Sequence, residues 1–314
     1  MRIVYFGTPQ FSASFLQALL EDAYFDVVAL VCQPDEPVGR KKIITAPPTK
    51  LLFQEKHPER PVFQPTKLKD PAFAESLKNL GADAFVIVAY GRIIPQPLLE
   101  LAKLGNVNVH PSLLPLWRGP SPMQAALANG DKETGISIML IDAEMDHGPL
   151  LAQTRFTLAE KETLQTLTER VVKEGAPLLT QELKKLAEGT SQPQEQRHEH
   201  ATYCKLLNKT DGIINELHTA DEIERKVRAY MPWPGVRISL EMEDGSKQEI
   251  KILAATSEEE SIPAGVCKKK EETLLIGTPK KTLAIHRLQP ATKKEMSAKE
   301  YLQGNNPKKI CATS

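Results

Sequence analysis

Asn106-Val-Asn-Val-His110-Pro-Ser-Leu-Leu-Pro115-Leu-Trp-Arg-Gly119-Pro-Ser-Pro122 is the stretch that decides the fold. Val107–His110 reads as a buried strand, and the prolines that follow cannot continue it. Strand alternation places Asn108 and His110 on one face. Working outward, apolar runs at Ile3–Phe6, Val27–Cys32, Ala84–Ala89 and Ile136–Ile141 alternate with helical patterns at Ser12–Leu20, Pro71–Leu80, Pro95–Leu101, Pro122–Asn129 and Thr163–Ala187. That alternation predicts an α/β domain, a Rossmann-like doubly wound, mostly parallel sheet with helices on both faces. Ligands of such sheets bind at the carboxyl ends of the strands, where Asn108 and His110 stand.

The pattern changes at Gly189–Tyr203, a polar segment without apolar periodicity, which reads as a linker. The predicted division is a catalytic domain at 1–189, a linker at 190–206 and a second domain at 207–314. In the second, Thr219-Ala-Asp-Glu222 has the form of a capping box opening a short helix to about Ala229. After Met231-Pro-Trp-Pro-Gly235, the runs Val236–Met242, Gln248–Ala254, Thr273–Ile276 and Thr282–Arg287 are punctuated by Gly245, Gly265 and Gly277. They predict a C-terminal antiparallel, OB-like β-barrel.

Composition narrows the function. Lys+Arg and Asp+Glu are each 40 in 314 residues, so net charge alone announces no nucleic-acid partner. The basic surface is local. Lys280, Lys281, Arg287, Lys293, Lys294, Lys299, Lys308 and Lys309 face only Glu295 and Glu300 across the last stretch of the chain, and this fits contact with a phosphate backbone. Solvated tail lysines are the competing reading. The cysteines Cys32, Cys204, Cys267 and Cys311 form no CxxC pair, and His198, His200 and Cys204 lack a fourth ligand, so no metal is expected. Gly7-Thr8-Pro9 lacks the spacing of a dinucleotide loop. With no secretory leader pattern and no run of ~18 apolar residues, a cytoplasmic protein without a membrane span is expected. Nothing marks an obligate protein partner.

Asp146, in Asp142-Ala-Glu-Met-Asp146-His-Gly148-Pro149, follows the strand Ile136–Ile141 and is expected to reach the same cleft from a neighbouring strand end. An Asn, a His and an Asp without a nucleophile suit direct acyl transfer to an amine. A carboxylate orients and charges an imidazole, and imidazolium and amide N–H groups together hold an oxyanion. The plainer reading is a strand-end His that only hydrogen-bonds and an Asp that only makes a turn. Chemistry alone leaves both open.

Asn108-Val-His110-Pro-Ser-Leu-Leu-Pro115 with Arg118-Gly119, then Asp146-x-Gly148-Pro149, resembles the motif of the folate-dependent formyltransferases. The resemblance implies that Asn108, His110 and Asp146 are catalytic and that formyl comes from 10-formyltetrahydrofolate. It further implies that Ser112, Leu113, Leu114 and Pro115 help bind the folate, with Val88, Ala89, Tyr90 and Gly91 lining the pteridine pocket. Other segments resemble the branch that acts on charged initiator tRNA: Phe6-Gly-Thr-Pro-x-Phe11, Gln33-Pro-Asp-x-Pro-x-Gly-Arg40, Pro61-Val-Phe-Gln-Pro65, Ala201-Thr-Tyr203, Lys209-x-Asp-Gly212 and Pro232-Trp-Pro-Gly235. They imply initiator methionyl-tRNA as acceptor, held by Arg40 and Lys42 of a long Pro-containing loop (Gln33–Pro48) and by the C-terminal domain. Lys41, where the family more often has Gly, and Ile213-Ile-Asn-Glu216, in place of a Trp-containing segment, depart from the pattern. The alternative acceptor is a small-molecule amine such as a nucleotide or amino sugar.

Overall fold

The computed structural model describes residues 1–39 and 42–311. In chain order the strands are β1 (Arg2–Gly7), β2 (Asp26–Val31), β3 (Glu36–Val38), β4 (Ile43–Thr45), β5 (Val62–Phe63), β6 (Ala84–Val88), β7 (Asn106–His110), β8 (Glu133–Leu140), β9 (Leu150–Thr157), β10 (Val236–Met242), β11 (Lys247–Glu258), β12 (Cys267–Lys270), β13 (Thr273–Gly277), β14 (Thr282–Pro290), β15 (Met296–Ser297) and β16 (Pro307–Cys311). The helices are α1 (Gln10–Glu21), α2 (Pro48–Lys56), α3 (Pro71–Asn79), α4 (Gln96–Leu99), α5 (Pro122–Asn129), α6 (Leu164–Ala187), α7 (Ala220–Tyr230) and α8 (Ala298–Gln303).

The chain forms two compact units. The first holds Met1–Pro122, Glu133–Thr157 and Leu167–Cys204, and the second Met123–Lys132, Leu158–Thr166 and the chain from Lys205 on. The first is built on a sheet of order β5-β2-β1-β6-β7-β8-β9. Strands β5 to β7 pair in parallel, whereas β8 and β9 run antiparallel at one edge. This is the expected Rossmann-like, mostly parallel sheet. β1 and β6 are wholly buried over Ile3–Phe6 and Ala84–Val88 because helices cover both faces. Each apolar side chain so buried contributes about 1.5–3 kcal/mol. α1 packs Ala13, Phe15, Leu16 and Leu19 inward at helical spacing. α3 starts where Asp70 accepts from the Ala72 N–H at 3.0 Å and Pro71 takes the first helical position.

In the second unit the capping box forms as expected: Glu222 N–H donates to Thr219 Oγ1 at 3.3 Å and Thr219 N–H to Glu222 Oε2 at 2.7 Å. α7 packs on β10, β11 and β14. The sheet order β12-β13-β14-β11-β10-β16 is antiparallel throughout. A bridge from Val266 to Lys309, with Ile310 N–H donating to Gly265 O at 2.7 Å, brings its last strand back to its first. The result is the expected OB-like barrel, nearly closed around Ile238, Leu240, Ile250, Ile252, Leu274, Ile276, Leu283 and Ile285, all fully buried. Of the C-terminal basic residues, Lys281 pairs with Asp221 and Glu259, Arg287 with Glu295, Lys299 with Glu272 and Lys309 with Glu241. Lys280, Lys293, Lys294 and Lys308 have no carboxylate partner among the described residues.

Candidate active site

β7 delivers Asn108, half-buried, and His110, only 4% exposed, at its carboxyl end. The loop after it folds tightly because its backbone groups are satisfied by neighbouring side chains. Ser112 Oγ donates to Leu116 O at 2.6 Å. Ser137, buried on β8, donates to Ser112 O at 2.7 Å and accepts from Leu114 N–H at 3.1 Å. Gln153 on β9 donates from Nε2 to Leu114 O at 2.9 Å and to Ser137 Oγ at 2.8 Å. Ser112, Leu113 and Leu114 are buried and Pro115 half-buried, so this loop is a fixed wall. Ser137 and Gln153 escaped the sequence reading, since a polar residue inside a strand pattern carries no sign of which loop it braces.

His110 Nε2 lies 3.0 Å from Trp117 O. A carbonyl only accepts, so Nε2 carries a hydrogen. Nδ1 faces Oδ2 of Asp146 at 3.6 Å, an ion-pair distance longer than a hydrogen bond. Acceptors thus face both ring nitrogens, Trp117 O at Nε2 and the Asp146 carboxylate at Nδ1. The same Oδ2 accepts from the Gly119 N–H at 2.7 Å. Asp146 therefore stands between His110 and a backbone donor.

Asp146 reaches this place by a different route from the one expected. Because β8 is antiparallel to β7, His110 pairs with Ser137, and the end of β8 at Leu140 lies beside Val107. The connection Ile141–Pro149 must double back to bring Asp146 to His110. Its backbone turns left-handed at Asp146 (φ 50°), a conformation Asp tolerates better than most residues. A Cβ on Gly148 would stand 2.1 Å from Leu140 O, so only glycine lets the loop close on the strand it left.

The segment read as a linker runs through the same site. Gln194 pairs with Leu150, and its N–H donates to Leu150 O at 2.8 Å. Gln196, 5% exposed, donates from Nε2 to Asp146 O at 2.9 Å and to Gly148 O at 2.8 Å. Arg118, 2% exposed, donates to Gln196 Oε1 and to His198 Nδ1, both at 2.8 Å. The His198 ring stacks on His147 at 3.8 Å, and His147 Nδ1 lies 2.6 Å from Asp142 Oδ2. Further along, Arg118 N–H donates to Thr202 O at 2.9 Å and Cys204 N–H to Arg118 O at 2.8 Å. Gly119 (φ 115°) lets the strands of this contact approach, since a Cβ there would meet Cys204 O at 2.3 Å. Ser121 N–H donates to Cys204 Sγ at 3.3 Å, and burial raises the thiol's pKa.

At the neighbouring strand ends, Ala89 (φ 47°) and Gly91 (φ 86°) turn the chain after β6. Val88 and Tyr90 are buried while Ala89 and Gly91 are exposed. The Tyr90 hydroxyl has no hydrogen-bond partner of ordinary geometry among the described residues, and burial pushes its pKa up to about 12 against the pull of Arg92. Tyr90 O accepts from Thr8 Oγ1 at 3.2 Å and Gln33 Nε2 at 3.0 Å. The long loop expected over Gln33–Pro48 contains a short ladder, β3 against β4, beyond an anchored base. There Lys50 Nζ sits 2.9 Å from both Asp35 oxygens and 2.8 Å from Gln64 Oε1. Lys42 is exposed with φ 49°, while Arg40 and Lys41 lie outside the described residues.

A Rossmann-like unit whose strand β7 ends on Asn108 and His110, in a chain that also carries an antiparallel barrel, is the architecture of a formyl transferase. The family description "Formyl transferase" matches residues 1–183, and "Formyl transferase, C-terminal domain" matches 206–306. A methionyl-tRNA formyltransferase of Roseiflexus sp. (strain RS-1) is 40% identical over 307 residues, covering 97% of this chain and 92% of that protein. One from Myxococcus xanthus (strain DK1622) is 40% identical over 305 residues, covering 97% and 95%. The chain belongs to the methionyl-tRNA formyltransferase family. Its fold is also that of HypX from Aquifex aeolicus in complex with tetrahydrofolic acid (TM-score 0.62, 19% identity), where 96% of this chain spans 47% of the longer protein. An N-formyltransferase from Helicobacter canadensis in complex with folinic acid and dTDP-3-aminofucose matches at TM-score 0.64 and 18% identity, over 92% of this chain and 98% of that one. Among the described residues no helix is long and apolar enough to cross a membrane, and no group of three or more His, Cys, Asp or Glu side chains is placed to hold a metal.

Proposed function

We propose that the protein moves the formyl group of 10-formyltetrahydrofolate to the amino group of methionine on initiator tRNA, as a cytoplasmic step of translation initiation. One observation carries the chemistry: His110 lies between Trp117 O and Asp146, and Asp146 is fixed in turn by the Gly119 N–H. The amine nitrogen attacks the formyl carbon directly. Asn108 and the Nδ1–H of His110 donate to the oxygen as it becomes an oxyanion. As the new C–N bond completes, the amine proton leaves through the His110–Asp146 pair or a water, the bond to N10 of the folate breaks, and N10 takes a proton. No metal takes part in these steps.

The folate lies against Val88–Gly91 and Ser112–Pro115. Two features support this: the backbone of the second loop is already held by Ser137 and Gln153, and the Tyr90 hydroxyl is buried with no partner of ordinary geometry among the described residues. Arg40 and Lys42, on the loop rooted at Lys50, hold the acceptor tRNA by its phosphates. Residues 1–189 carry the reacting groups, 190–206 lead on from them and reach back to the Asp146 turn through Gln196, and 207–314 add tRNA contact through lysines such as Lys293, Lys294 and Lys308.

The test is formylation with 10-formyltetrahydrofolate and methionyl-tRNA, charged initiator against charged elongator, with a nucleotide-linked amino sugar as third acceptor. Transfer to initiator methionyl-tRNA alone supports the reading. Preferential transfer to the amino sugar overturns it.

A further inference from the structure

The catalytic carboxylate is not on a strand end. It sits in a loop of the chain that reverses over Ile141–Pro149, with a left-handed residue at its centre, and such a turn persists only where its surroundings hold it. Its carbonyls at Asp146 and Gly148 accept from one side-chain amide, that of Gln196. The other end of that amide accepts from Arg118, whose own residue neighbours Gly119, the donor to Asp146 Oδ2. Gln196 thus closes a ring: Asp146 carboxylate, Gly119 N–H, Arg118 guanidinium, Gln196 amide, Asp146 carbonyl.

We propose that Gln196 is the positioning residue of the active site: it fixes the turn that sets Asp146 against His110, with Arg118 holding its amide in the one orientation that presents both N–H groups to Asp146 O and Gly148 O. The inference rests on the formyl-transfer reading. The Arg118 guanidinium is almost wholly buried, and among the described residues its side-chain acceptors are the Gln196 amide oxygen, His198 Nδ1 and the Tyr203 hydroxyl at 3.5 Å, none of them a carboxylate. Donors from Arg118 on one side and backbone acceptors on the other dictate which end of the Gln196 amide is oxygen. Gln196 touches no reacting atom; it acts through the backbone of Asp146.

Gln196→Glu distinguishes positioning from bulk. The side chain keeps its length and its acceptor for Arg118 but loses the two N–H groups, placing a carboxylate oxygen against two carbonyls. Gln196→Ala removes both connections. In each variant kcat for formyl transfer falls about 10- to 100-fold, the scale on which displacement of a catalytic group costs rate, while KM for the folate and for tRNA stays within about twofold. Exchange of the Gly119 amide proton, followed by NMR without any turnover, accelerates in both variants, because its acceptor on Asp146 is no longer held. Arg118→Lys, which keeps the charge and loses the fork, shows the same pattern in smaller measure. Normal kcat in both Gln196 variants overturns the inference, as does Gly119 exchange equal to that of the native protein. Absence of formylation by the native protein overturns the reading of function instead, and the exchange measurement then still decides on the positioning.

Discussion

The backbone N–H of Gly119 donates to Oδ2 of Asp146 at 2.7 Å, and that same oxygen faces His110 Nδ1 at 3.6 Å. One carboxylate oxygen thereby ties the proline-rich loop after β7 to the loop that returns from β8. Asp146→Asn conserves shape and can still accept from Gly119, but it removes the negative charge that faces His110 Nδ1. We expect kcat to fall at least ~10²-fold with the Tm nearly unchanged. Turnover within a few-fold of native would show that the carboxylate has no catalytic part.

Gly148→Ala tests the return of the loop. The added Cβ would stand 2.1 Å from Leu140 O and 3.1 Å from the Leu140 carbonyl carbon, backbone atoms that cannot step aside cheaply. The expected cost is about 1–3 kcal/mol in urea denaturation, with a loss of kcat, since Asp146 is displaced together with its turn. Full stability and activity would mean that the turn has slack that the native packing does not show.

The base of the loop that bears Lys42 is predicted to depend on pH. The hydrogen bond from Gln64, then that from Lys50, holds the Asp35 carboxyl below its usual range. A depressed folded-state value contributes stability that is present above the unfolded carboxylate value of about 3.9 and is lost as pH falls through the lowered folded value. The difference in urea midpoint between native protein and Asp35→Asn should therefore shrink as pH falls from about 6 to about 3. A difference independent of pH would place the contribution of Asp35 in packing.

The sheet was legible because β1, β2 and β6 are buried on both faces and so read as apolar runs, while β7 alternates Val107 and Val109 with Asn106, Asn108 and His110. The capping box at Thr219 and Glu222 was legible because its partners lie three residues apart. What escaped depends on distant pairing. Nothing in Ile136–Ile141 says whether it pairs with β7 in parallel or antiparallel, so the reversal that carries Asp146 could not be foreseen from it. β9 is half-exposed and polar at Gln153, Thr154 and Arg155, and β5 is only two residues long, so neither rises above its surroundings as a pattern. The polar segment at Gly189–Tyr203 looked featureless because its residues bond to individual groups of Arg118, Trp117 and the Asp146 turn rather than burying a periodic face. Asn108, His110 and Asp146 could be picked out by residue type and family motif; Ser137, Gln153 and Gln196, which hold their loops, could be found only in three dimensions.

The most direct measurement is single-turnover formylation of initiator methionyl-tRNA by the native protein, Asn108→Ala and His110→Ala, at saturating 10-formyltetrahydrofolate and with folate binding measured in parallel. Loss of one oxyanion donor should slow the native rate at least ~10²-fold in each variant while folate and tRNA are still bound. Near-native turnover by either variant, with binding intact, would contradict the assignment of these residues to the oxyanion.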